Sequence, residues 1–216
     1  MIVIHQVFIH VMLYKAVSNS PGTYPNIYKN NTWYPTLKDY VFDAFKFADK
    51  ARKDKNLNVK LFYNDYGIHY QNSKSNAIYT MIQNMQKENI AIDGLGIQSH
   101  INLNDYPLDY DKLVSNMKRF SDDLGIEIHI TELDDACNDC NGDFTPSDET
   151  KQAEMYQTLL KACIAVKNCK SYETWGWTDK YTWKGSNKYP LPFDINFKPK
   201  TAAFYIENTF FNSSIP

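Results

Sequence analysis

Apolar residues along this chain alternate between two periods. In "WYPTLKDYVFDAFKFADKARK" (33–53), Leu37, Tyr40, Val41, Ala44, Phe45 and Ala48 recur at the spacing of one helix face. "VKLFYNDY" (59–66) is a short apolar run that ends in polar residues, which reads as a strand. The helical period returns in "SNAIYTMIQNMQKEN" (75–89), with Ser75 as a candidate N-cap. "IDGLGIQSH" (92–100) is again a strand, and "DYDKLVSNMKRFSDDLG" (109–125) a helix that stops at Gly125. "IEIHITELD" (126–134) predicts a strand, then "SDETKQAEMYQTLLKACIAVK" (147–167) a helix capped by Ser147 or Thr150. "SYETWGWTD" (171–179) closes the series as a strand, before a last helix in "PKTAAFYIENTFF" (199–211) with Pro199 near its start.

Strand and helix in strict alternation predict an α/β fold with a parallel sheet and covering helices. No linker or low-complexity tract interrupts 1–216, so one domain is expected. Each strand finishes on side chains with chemistry: Asn64 and Asp65, Gln98 and His100, Glu132 and Asp134, Trp175. Polar groups gathered at the carboxyl ends of parallel strands are what a (β/α)8 barrel site requires. An open doubly wound sheet is the alternative. It usually carries a glycine-rich phosphate loop, and none is present.

Composition changes this picture little. Lys and Arg number 23 against 25 Asp and Glu, which gives no electrostatic case for nucleic acid or an anionic membrane as partner. No segment is long and apolar enough to span a bilayer. The sixteen tyrosines and four tryptophans offer flat apolar faces with a polar handle. Such side chains suit sugars and equally fill ordinary cores. The amino-terminal run "MIVIHQVFIHVMLYKAVS" is apolar, and Ala16 and Ser18 resemble a cleavage site. It lacks a cationic start, and His5 and His10 interrupt it, so it reads as a buried strand or as sequence foreign to the fold rather than a convincing signal peptide. The four cysteines form two close pairs, Cys137 with Cys140 and Cys163 with Cys169. Local disulfides in a secreted chain and reduced thiols both fit, and one lone C-x-x-C is weak evidence for zinc.

"YNDY", "DGLGIQSH", "ITELD" and "WGWTDKYTW", in this order and spacing, resemble the second half of a family 10 glycoside hydrolase, an endo-1,4-β-xylanase. The resemblance runs from about Ala16 to the C-terminus. It implies a (β/α)8 TIM barrel that hydrolyses xylan with retention of configuration, with no cofactor and no metal. It also implies roles. Glu132 sits at the nucleophile position, with His100 and Asp134 supporting its charge. Asn64 and Gln98 match polar contacts to the sugar, and Trp175 and Trp183 match the aromatic walls around it. Cys163 with Cys169 resembles a disulfide common in fungal members; the pairing of Cys137 and Cys140 stays open. Asp135 departs from the family, which prefers an apolar residue there. By family the chain is expected to be extracellular.

A retaining glycosidase needs one ionised carboxylate as nucleophile and a second, protonated carboxyl about 5–5.5 Å away. The family keeps that acid in a "W-D-V-V-N-E-A" motif on its fourth strand. Aligned through "AVSNS", this chain has "HVMLYKAV": Tyr14 stands at the Asn and Lys15 at the catalytic Glu. The expectation is therefore a partial barrel corresponding to strands four to eight, truncated at its N-terminus, in which residues 1–14 are not native barrel sequence. Three functions compete: a xylanase acting on xylan or xylo-oligosaccharide, an inactive fragment or non-catalytic xylan-binding protein, and another retaining barrel hydrolase such as a mannanase or cellulase. "WGWTDKYTW" and "QSH" argue against the last. Open sheet edges would offer a route to self-association.

Overall fold

The computed structural model describes residues 7–11, 16–140 and 142–213. Strands and helices alternate as β1 (Val7–Val11), α1 (Tyr40–Asp54), β2 (Val59–Asp65), α2 (Ser73–Lys87), β3 (Gly94–Ile97), β4 (His100–Asn102), α3 (Tyr110–Lys118), β5 (Glu127–Ala136), α4 (Pro146–Ile164), β6 (Cys169–Thr174) and α5 (Thr201–Asn212). All strand pairings are parallel. The sheet runs β1–β2–β3–β5, with β6 on the far side of β5, and β4 continues β3 along the near side. This is an incomplete (β/α)8 barrel: the alternation predicts its parallel sheet and covering helices, and the family resemblance its partial form. β1 and β6 are its open edges among the described residues. Lys15 and Tyr14 lie outside those residues, whereas the backbone of Val7–Val11 pairs in register with Val59–Tyr63.

Local chemistry moves several boundaries. Ser75 is not the N-cap of α2 but its third residue. Asn72 caps the helix by accepting from the Ser75 N–H, while the Ser75 hydroxyl accepts from the Asn72 N–H. Ser147 likewise gives way to Thr145, which forms a reciprocal capping box with Asp148. Pro146 takes the first helical position, where its missing N–H costs nothing. Leu37 belongs to a turn before α1 and stands half exposed. The last strand begins at Cys169 and ends at Thr174, because Gly176 adopts a φ of 102° and turns the chain away.

Alternation along each strand sorts the side chains onto two faces. Leu61, Tyr63, Leu95, Ile97, Ile128, Ile130 and Leu133 join the core under the helices, with Ile78, Met81 and Ile82 of α2, Met117 of α3 and Leu159 of α4. Phe62 lies on the other face, its ring centroid 4.2 Å from that of His129. Asn64 belongs to that inner face, and the neighbouring Tyr63 and Asp65 to the helix face. There Asp65 is buried, accepts from the Tyr63 hydroxyl at 2.8 Å and pairs with the buried Lys74 at 2.7 Å. This strand-end carboxylate is therefore structural. It fixes the Tyr63 hydroxyl, which accepts from the Val17 N–H and ties down the 16–31 loop.

Candidate active site

Three strand ends are stitched together by backbone before any side chain is considered. The Gln98 N–H donates to the Asp65 carbonyl, and the Glu132 N–H to the Gln98 carbonyl. Gly96 permits the close approach of β2 and β3. A Cβ on it would lie 2.5 Å from Asn64 Oδ1 and 3.0 Å from the Thr131 methyl. β5 carries an extra residue between Ile130 and Leu133 relative to β6, a bulge that breaks the alternation. Consecutive residues Thr131 and Glu132 consequently both reach Asn64. The Thr131 hydroxyl donates to Asn64 Oδ1 at 2.8 Å, and Asn64 Nδ2 donates to Glu132 Oε1 at 2.7 Å. Thr131 thereby fixes the amide so that its N–H faces the carboxylate. It is a site residue that the strand pattern alone did not single out, and its only signal was a polar side chain inside an apolar run.

The other carboxylate oxygen faces His100. Nε2 of the imidazole lies 3.1 Å from Glu132 Oε2, and Nδ1 lies 2.9 Å from Asp134 Oδ2. A neutral imidazole has one N–H and can serve only one of two anionic acceptors; the imidazolium serves both. Burial opposes that charge. The hydrogen bonds with Asp134 and Glu132, and the charges behind them, outweigh it and raise the His100 pKa above the ordinary histidine value. Trp183 Nε1 donates to Asp134 Oδ2 at 2.7 Å, and its ring meets His100 edge-on at 5.1 Å. Lys184 Nζ stands 3.8 Å from Asp134 Oδ1 and 4.4 Å from the centre of the Trp183 ring.

The structure thus brings Asn64, His100, Glu132, Asp134 and Trp183 into one bonded chain. Gln98 sits at the adjacent strand end, buried, with no hydrogen-bond partner for Oε1 among the described residues. Trp175 follows β6, its N–H donating to the Leu133 carbonyl, and its indole is 45% exposed. Cys163 bonds to Cys169 and Cys137 to Cys140; the first joins the end of α4 to the start of β6. Among the described residues no group of three or more His, Cys, Asp or Glu side chains is placed to hold a metal ion. Asn64 and Glu132 are nearly inaccessible, whereas Trp183 is 56% exposed. The arrangement is a fixed carboxylate beneath an open aromatic rim.

The model of Glycosyl hydrolase family 10 matches residues 13–209. Endo-1,4-beta-xylanase B of Thermotoga neapolitana is 37% identical over 199 residues, which are 89% of this chain and 53% of that protein. Endo-1,4-beta-xylanase B of Neocallimastix patriciarum is 34% identical over 84% of this chain and 19% of its own length. Among solved structures, xylanase 10B of Thermotoga petrophila RKU-1 in complex with xylobiose superposes with a TM-score of 0.80 at 32% identity. It covers 91% of this chain and 57% of the xylanase.

Proposed function

The chain belongs to glycosyl hydrolase family 10, and from that premise we propose that its site is the nucleophile half of a retaining endo-1,4-β-xylanase, acting on xylan or xylo-oligosaccharide. The observation that supports this reading best is the chain of bonds from Asn64 through Glu132 and His100 to Asp134 and Trp183. In it Glu132 is the nucleophile. A carboxylate that accepts from an amide and faces an imidazolium stays ionised, and is stabilised again when it departs from the glycosyl-enzyme. Asp134 holds the imidazolium in place and keeps it charged. Asn64 and Gln98 offer amides to sugar hydroxyls, and the Trp175 and Trp183 rings flank the sugar. On this reading the chain is one domain corresponding to the fourth to eighth β/α units of the family barrel, and the mature protein is extracellular.

The position of the acid/base partner is taken by Lys15. A lysine starts from a pKa of ~10.4 and is a reluctant proton donor to a poor leaving group. This residue favours a second reading, a protein that binds xylan without cleaving it. One pair of measurements separates the two. An activated aryl xyloside needs no acid for its first step, so the chain should release the phenol slowly, and Glu132→Gln should abolish that release. Xylan pull-down with no reducing ends and no phenol release would instead establish the binding protein. Neither release nor binding would sink both.

A further inference from the structure

We propose that Asp135 is held in the folded chain as a neutral carboxylic acid, and that its deprotonation loosens the end of β5 that carries Glu132 and Asp134, so that the fold favours acid conditions. The inference goes beyond the catalytic reading and stands whether or not the site turns over a sugar.

The geometry carries it. Past the bulge, Leu133 returns to the helix-side core and Asp134 to the inner face, where it meets His100. Asp135 therefore falls on the helix side, at a position in the series Ile128, Ile130, Leu133 that packing would give to an apolar residue. It is 0% exposed, and neither carboxyl oxygen has a hydrogen-bond partner among the described residues. Its backbone is pinned on both sides. The N–H donates to the Pro190 carbonyl at 3.0 Å, and the carbonyl accepts from Gln152 Nε2 at 2.8 Å. Gln152 spends its amide hydrogens on the carbonyls of Asp135 and Tyr189, and its Oε1, also buried, has no partner among the described residues. The seam between β5 and α4 thus holds three buried acceptor oxygens with no donor among the described residues, a setting that disfavours a charged carboxylate and favours its neutral form.

The charges around Asp135 point the same way. From β5 itself comes Asp134, from the turn after β4 Asp105, and from the residue before α5 Lys200. Lys200 is already committed to Asp179 Oδ2 at 3.0 Å and to the Tyr189 carbonyl at 2.7 Å. Tyr156 of α4 and Tyr172 of β6 remain neutral phenols, donating to the carbonyls of Pro190 and Tyr156. Burial first, then Asp105, pushes the Asp135 carboxyl well above the usual carboxylate range, against the pull of Lys200. A carboxyl raised in the folded state contributes stability that is fully present below its unfolded value of ~3.9. That contribution is lost as pH rises towards the folded value, by up to about tenfold in the folding equilibrium per pH unit.

The test compares urea unfolding of the full chain with that of Asp135→Asn and Asp135→Val from pH 4 to 8. Titrating groups remote from Asp135 cancel in the comparison. Both variants should gain on the native chain as pH rises, by up to about tenfold per unit in the folding equilibrium. Native protein should also show a protonated carboxyl band in the infrared at pH 6 that both variants lack. Parallel pH profiles for the native chain and either folded variant, or a native protein without that band, would overturn the proposal.

Discussion

β5 and β6 lie side by side in one sheet, β5 carrying Glu132 and Asp134 and β6 leading into Trp175, yet they are held very differently. β5 has a neighbour on each edge, and every residue from Ile128 to Ala136 is buried. β6 has one neighbour among the described residues and no buried residue of its own. Its outer side opens on an apolar groove of 540 Å³ lined by Tyr172, Trp177, Phe193, Phe204 and Phe210 among others. Glu132 on β5 receives its partners from β2 and β4, so neighbouring strands position it. The Trp175 indole at the end of β6 makes no hydrogen bond or ring contact among the described residues, and nearly half of it is exposed. A site is as rigid as the strands on both sides of each of its members. This chain therefore presents a preorganised carboxylate next to a loosely held Trp175.

The largest expected effect tests that asymmetry directly. Ile130→Ala, in the buried middle strand, should cost ~2–5 kcal/mol. Ser171→Ala, one strand over, should stay within about 0.5 kcal/mol. Urea midpoints at constant slope measure both, and equal losses would break the comparison. Next comes the disulfide between Cys163 and Cys169, which ties the edge strand to α4. Replacing both cysteines by Ser should remove about 2 kcal/mol on the chain-entropy account of a short loop. Amide hydrogen exchange should accelerate in β6 well before β5; a uniform increase would show that the two strands open as one unit.

His100 gives a smaller effect that depends on pH. Its folded pKa is raised, so the stability it contributes is fully present below its unfolded value of ~6.5 and fades as pH climbs through the folded value. His100→Gln should therefore destabilise more at pH 5 than at pH 8 in denaturant titrations. A constant difference would mean that the imidazole stays neutral between its two carboxylates. The smallest effect on stability concerns the open side. Phe204 is 50% and Phe211 81% exposed. Exposed apolar patches of this kind promote association. Replacing both by Ser should leave unfolding within about 0.5 kcal/mol per site and shift sedimentation towards monomer. Unchanged sedimentation of an associating chain would place the contact elsewhere, for example at the β1 edge.

Much of this molecule was legible along the chain. The change of hydrophobic period marked the helices and the longer internal strands, because backbone pairing and side-chain burial repeat with fixed geometry, but not the three-residue β4. Glu132, Asp134, His100 and Asn64 announced themselves as polar residues ending apolar runs, and the motifs around them tied them to a family. The sequence also offered several caps within a few residues of each helix start. It pointed to Ser75, and to Ser147 or Thr150, whereas Asn72 and Thr145 do the capping, since each has the right chemistry and only the realised turn selects one. The bulge that turns Thr131 and Glu132 together towards Asn64 was invisible, because a bulge is a register between two strands and not a property of either. The same holds for the Trp183 indole on Asp134, which spans 49 residues. Asp135 is the sharpest case. As a letter it extends an acidic run, at a position where the resembling family prefers an apolar residue. Parity past the bulge, set by three paired strands, turns it instead into the core beneath α4, where its proton becomes part of the packing.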